Sequence, residues 1–86
     1  MPITAAQLKA SGRLVNKDVR SHGVWEIEPP LKVVATDNSE GDDQIKVGRI
    51  YEACKWDEDG KYAGFLHLHP TATHWRDMLM FDLVPE

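Results

Sequence analysis

The sequence predicts a mainly β fold: a small barrel of about five antiparallel strands with a short N-terminal helix and an extended arm. Three observations carry that prediction. From Leu31 onward, β-type runs ("LKVVAT", "IKVGRIYEACKW", "KYAGFLHLH", "MLMFDLV") alternate with turn-forming stretches ("DNSEGDD", "DEDG", "PTAT"). Asp59-Gly60 lies between two of those runs, and this pair supplies the positive φ angles of a two-residue type I′ turn. Only the first dozen or so residues carry helix signals. At 86 residues the chain is one compact unit, with helix and arm over 1–30 and the barrel over 31–86. A chain of this size buries only about 60% of its unfolded surface, too little for a deep catalytic cleft.

The helix signals lie in "PITAAQLKASG". Thr4 is an N-cap, Gln7 completes a capping box, Ile3 and Leu8 form a hydrophobic staple, and Gly12 ends a helix spanning about 5 to 11. Two turns are marginal alone in water, so this helix must dock through Ile3 and Leu8 on the main body. The next segment, "RLVNKDVRSH", has weak signals and no assigned path, and His22 within it carries none of its own. In "GVWEIEPP", Trp25 and Ile27 alternate with Glu26 and Glu28, and Pro29 and Pro30 remove two N–H donors. That pattern predicts an edge strand or arm ending at the prolines.

A two-residue turn at Asp59-Gly60 sets a register pairing Glu58 with Lys61, Trp56 with Ala63, Cys54 with Phe65, Glu52 with His67 and Ile50 with His69. The opposite face then carries Tyr51, Ala53, Tyr62, Gly64, Leu66 and Leu68, the more apolar set, which is assigned to the core.

Net charge is −4, with acids concentrated in "DNSEGDD" and "DEDG" and the ten Lys and Arg scattered. Phosphate-backbone binding needs a clustered basic patch, so direct nucleic-acid binding is not expected. The acidic stretches read as solvated loops or, alternatively, as a nucleic-acid mimic that occupies a DNA-binding partner. No run approaches a signal peptide or the roughly 20 apolar residues of a membrane span, so a cytoplasmic protein without membrane contact is expected. The single Cys54 cannot close an internal disulfide, a Cys-rich zinc site is excluded by count, and a small buried hydrophobe is its ordinary role.

The segment "FLHLHPTATHW" places His67, His69 and His74 close together. His67 and His69 share a strand face about 7 Å apart, and the predicted register sets Glu52 across from His67. His67, His69 and Glu52, or His74 in place of Glu52, make a legitimate metal set. His-x-His also arises by chance on exposed strands, and no His-Glu-x-x-His motif frames this one. If Glu52 pairs with His67, it raises that pKa. A Cys54–His67 nucleophile and base lacks an orienting third group and oxyanion donors, and no glycine-rich phosphate loop is present, so neither enzymatic activity nor a cofactor is expected. Trp25, Trp56 and Trp75, with Tyr51 and Tyr62, lack the basic groove of a base-stacking platform and point instead to core or a protein-binding patch.

The stretch "LKVVATDNSEGDDQIKVGRIYEACKWDEDGKY" and the ending "FDLV" resemble small SH3-like β-barrel proteins of bacteriophages and prophages. The residues that carry the resemblance are Asp37-Asn38, Val47-Gly48-Arg49-Ile50-Tyr51-Glu52 and Phe81-Asp82-Leu83-Val84, within residues 31–86. "HLHPTATHWRDML" replaces a polar hairpin of that group, and residues 1–30 have no counterpart in it; a specific function would be grafted on such additions. The resemblance implies no catalytic residues and suggests a phage accessory protein that binds and modulates a host protein. The expected function is therefore a non-enzymatic protein-binding module contacting its partner through Trp25, Trp56, His67, His69, His74 and Trp75. Open strand edges also leave room for a homodimer through an edge strand.

Overall fold

The computed structural model describes residues 1–18, 23–38, 41, 43–69 and 74–85. His22, Glu40, Asp42 and the "PTAT" connection at 70–73 lie outside the described residues. Helix α1 (Ala5–Ala10) starts as the sequence predicts: the Gln7 N–H donates to Thr4 Oγ1 (3.2 Å) and the Thr4 N–H donates to Gln7 Oε1 (3.0 Å). Ile3 and Leu8 are buried in the same core as Tyr51, and the Ile3 N–H donates to the Phe81 carbonyl (3.0 Å), so tertiary contacts stabilise a helix too short to persist alone.

The strands are β1 (Leu14–Asp18), β2 (Val24–Ala35), β3 (Ile50–Asp57), β4 (Phe65–His69), β5 (Trp75–Asp77) and β6 (Phe81–Leu83), with a 3-10 helix, Met78–Met80, between the last two. All pairings are antiparallel, in the order β1-β2-β3-β4-β5, and β6 returns to pair with β2. The fold is mainly β, and its sheet is not closed by a continuous ladder among the described residues. A radius of gyration of 11.9 Å is that of a compact chain.

Three expectations about the strands need correction. Val24–Ala35 is one strand with partners on both sides, not an edge strand ending at Pro29-Pro30. From Glu26 to Leu31, β2 advances five positions while β3 moves two, from Lys55 to Ala53. Pro29 and Pro30 stand in that outward excursion, where a missing N–H breaks no ladder bond.

Secondly, Asp59-Gly60 does not form a two-residue turn. Asp57 pairs with Phe65, and the whole of 58–64 makes the connection. The Asp57 carboxylate accepts from the Gly60 N–H (2.6 Å) and the Tyr62 N–H (2.9 Å), and Gly64, at φ +83°, donates its N–H to the Asp57 carbonyl (2.8 Å). The turn is organised by a buried aspartate rather than by the Asp-Gly pair.

Thirdly, this connection shifts the register by an odd number of residues, which turns Trp56 inward to pair with Leu66. An irregularity at Cys54, between the Ala53–Leu68 and Lys55–His67 pairs, shifts it once more. The two changes compensate, and Tyr51, Ala53, Leu66 and Leu68 are buried together as the alternation predicts. Tyr62, assigned to the core from the sequence, is 42% exposed. Cys54 is half-buried at the bulge rather than a core residue.

Candidate functional site

The six predicted contact residues do not form one surface. Trp56 is 2% exposed and belongs to the core, because the longer β3–β4 connection reverses its face. Its indole N–H has no acceptor among the described residues. Trp25 is Trp56's cross-strand partner on the inner face and is half-buried against the core. Its indole N–H donates to Glu58 Oε1 (3.1 Å), and Lys17 Nζ lies 5.4 Å from its ring centroid.

Trp75, His67 and His69 lie on the outer face of β4 and β5, and His74 is exposed just before β5. His67 and Trp75 are cross-strand partners with ring centroids 5.1 Å apart, edge to face. Tyr62, assigned to the core from the sequence and absent from the predicted contact residues, lies over the same indole: the two rings stack with centroids 5.9 Å apart, inclined by 17°. Lys61 Nζ approaches Tyr62 to 5.5 Å from the ring centroid. The result is a surface of three aromatic rings, Tyr62, Trp75 and His67, fringed by Lys61 and Lys55. The signal that could have found Tyr62 is Asp57 followed by Gly60 and Gly64, which fits a longer aspartate-capped loop as well as a tight hairpin.

The predicted Glu52–His67 pair is corrected by the register. Glu52 lies opposite His69, and His67 lies opposite Lys55. Burial first, then the charges of Lys55 and Arg76, hold the His67 pKa below the ordinary histidine value, the reverse of what a carboxylate neighbour would do. Among the described residues no three His, Cys, Asp or Glu side chains come together to hold a metal. Cys54 lies beside Glu52, and burial followed by that negative charge pushes its thiol pKa up, away from the thiolate a nucleophile needs.

The acids of "DEDG" are engaged within the chain. Asp57 is buried in the turn. Glu58 pairs with Lys9 (2.7 Å) and Lys17 (3.2 Å), and Lys17 reaches Asp59 as well (3.2 Å). This network ties α1, β1, β2 and the β3–β4 connection together and leaves those carboxylates unlike the open, regular array of a nucleic-acid mimic.

Arg76 is 4% exposed on the inner side of β5, where its guanidinium donates to the His74 carbonyl (2.8 Å) and to Gln44 Oε1 (2.9 Å). It fixes the strand that carries Trp75 to the loop before β3. An open hollow of about 230 Å³, lined by Ser11, Arg13, Leu31, Leu83, Val84 and Pro85, lies beside β6 and contains none of the predicted site residues. No described helix is long and apolar enough to cross a membrane. No family model matches the chain, and neither a curated protein nor a solved structure is significantly similar to it.

Proposed function

We propose that this chain is a non-enzymatic protein-binding module of SH3-like build that engages its partner through the outer face of β4 and β5. One observation carries the proposal: Tyr62 and Trp75 stack outside the core, with His67 against the same indole. Aromatic side chains bury large areas at small entropic cost and dominate binding energies where a partner covers them. The contact set is therefore Tyr62, Trp75, His67 and His69, with His74 at its margin, while Trp25 and Trp56 serve the fold.

The SH3-like reading is supported by the β2–β3–β4–β5 meander and by the return of β6 through a 3-10 helix onto β2. Phage origin and a host partner rest on the resemblance of residues 31–86. A homodimer would use β1 or β5, each at an edge of the described sheet.

The test is affinity capture from a host lysate by the parent chain, by Tyr62→Ala/Trp75→Ala and by Trp25→Ala, each variant first checked for a parent-like circular dichroism spectrum. A partner held by the parent and by Trp25→Ala but lost by Tyr62→Ala/Trp75→Ala is the expected result. Equal retention by all three would move function off this face.

A further inference from the structure

Building on the protein-binding reading of this face, we infer that the partner presents an acidic segment, a short run of Asp or Glu beside an apolar or aromatic side chain. The inference rests on a local reversal of charge. The chain carries −4 overall, yet the side chains framing the Tyr62–Trp75 stack are basic. Lys61 stands over the Tyr62 ring, and Lys55 lies across from His67 on the outer face.

Of the carboxylates near these lysines, Glu26, across from Lys55 on β2, accepts from the Asn16 amide (3.2 Å). Asp57 is buried on backbone N–H groups, and Asp77 accepts from the Leu79 N–H (2.9 Å) at the start of the 3-10 helix. Glu58 and Asp59 are held by Lys9 and Lys17, and Glu52 lies opposite His69, farther along the ladder than His67. Among the described residues neither Lys55 nor Lys61 has an ion-pair partner.

The size of the patch selects a short acidic peptide over a nucleic acid. A polyanion gains affinity by neutralising several phosphates along a basic stripe, and here two lysines would be followed by the acidic remainder of the surface. A peptide needs only the local patch: its carboxylates meet Lys55 and Lys61 while its apolar side chain covers the Tyr62 and Trp75 rings.

The experiment is selection of random displayed peptides on the immobilised parent, on Tyr62→Ala/Trp75→Ala and on Lys55→Glu/Lys61→Glu, with binding of a single-stranded oligothymidylate measured alongside. Lys55→Gln/Lys61→Gln replaces the charge reversal if that variant does not fold. The expected result is recovery on the parent of peptides rich in Asp and Glu around one aromatic or aliphatic residue. Their binding should weaken by about tenfold or more on the lysine variant and fall with added salt. Peptides that need Tyr62 and Trp75 but show no acidic enrichment would overturn this inference and leave the aromatic site standing. Absence of any peptide dependent on Tyr62 and Trp75 would remove both. Oligothymidylate bound by the parent and lost in both variants, without peptide recovery, would overturn the inference in favour of a nucleic acid.

Discussion

The buried carboxylate of Asp57 accepts a 2.9 Å hydrogen bond from the backbone N–H of Tyr62 and so sets where the outermost ring of the aromatic face stands. Its other oxygen takes the Gly60 N–H at 2.6 Å. Asp57→Ala leaves both donors without that acceptor and should lower the unfolding free energy by about 2–4 kcal/mol, while Asp57→Asn, which keeps one acceptor oxygen, should lose about half as much. Urea denaturation followed by circular dichroism measures both. A change under about 0.5 kcal/mol for the alanine variant would mean that water replaces the carboxylate freely.

Glu58 makes the fold sensitive to acid. Its hydrogen bonds with Lys9, the Trp25 indole and Lys17 hold its carboxyl at about 2, down from 4.5. Because the folded-state pKa is depressed, the stabilisation is complete above pH 4.5 and is lost as pH falls from there towards 2. Glu58→Gln removes this contribution. Its melting temperature should therefore fall less steeply than the parent's across that window, and the difference should shrink in high salt. Parallel curves for the two proteins would show that the network does not bear on stability.

His67 titrates in the opposite sense to a histidine that gains a carboxylate. Burial, Lys55 and Arg76 keep it neutral to lower pH than the ordinary 6.5. The unfolded chain then takes up the proton first, so stability is undiminished above pH 6.5 and declines as pH falls from there through the depressed folded-state value. Titration of the His67 ring proton by NMR should give a pKa below 6.5 in the parent and a higher one in Lys55→Glu, where a repelling charge becomes an attracting one. A parent value at or above 6.5 would mean that burial does not act on His67 as described, and a value unchanged in Lys55→Glu would mean that His67 does not feel Lys55 across the strands.

What the sequence made legible follows from what is local. The α1 capping box, the Ile3–Leu8 staple and the inward side chains of Tyr51, Ala53, Leu66 and Leu68 all depend on neighbours within a turn or on strand alternation, and each is found in the structure. Parity across a hairpin is not local. Asp59-Gly60 fits a tight turn by propensity, but Asp57 at the start of the connection and Gly64 at its end select the longer loop. That single difference moved Trp56 into the core, brought Tyr62 out of it and exchanged Glu52 for Lys55 as the neighbour of His67. A two-sided partner for Val24–Ala35 was equally hidden, because Pro29-Pro30 stops a ladder unless the strand bulges there. The outer aromatic face was half-visible: Trp75 and His67 stood out by type, Tyr62 only once its loop was known.

The bulge at Cys54 is what reconciles the two halves of β3, and its removal is the most demanding test of the register. Tyr51 and Ala53 on one side of it and Trp56 on the other all face the core, although an unbroken strand would place Ala53 and Trp56 on opposite faces. Deleting Cys54 sets Ala53 and Trp56 two positions apart, so strict alternation alone keeps Tyr51, Ala53 and Trp56 facing the core and runs Ala53–Leu68, Lys55–His67 and Trp56–Leu66 as one unbroken ladder. No buried aromatic is displaced, so against the roughly 4–13 kcal/mol expected for a chain of this length the deletion should leave a folded protein. Cys54→Ala keeps the extra residue and removes only a half-buried thiol, so it should stay within about 1 kcal/mol of the parent. Thermal melts and the dispersion of amide NMR signals follow both variants. An unfolded deletion variant beside a folded Cys54→Ala would mean that β3 is regular at Cys54, so that the deletion turns one half of the strand over.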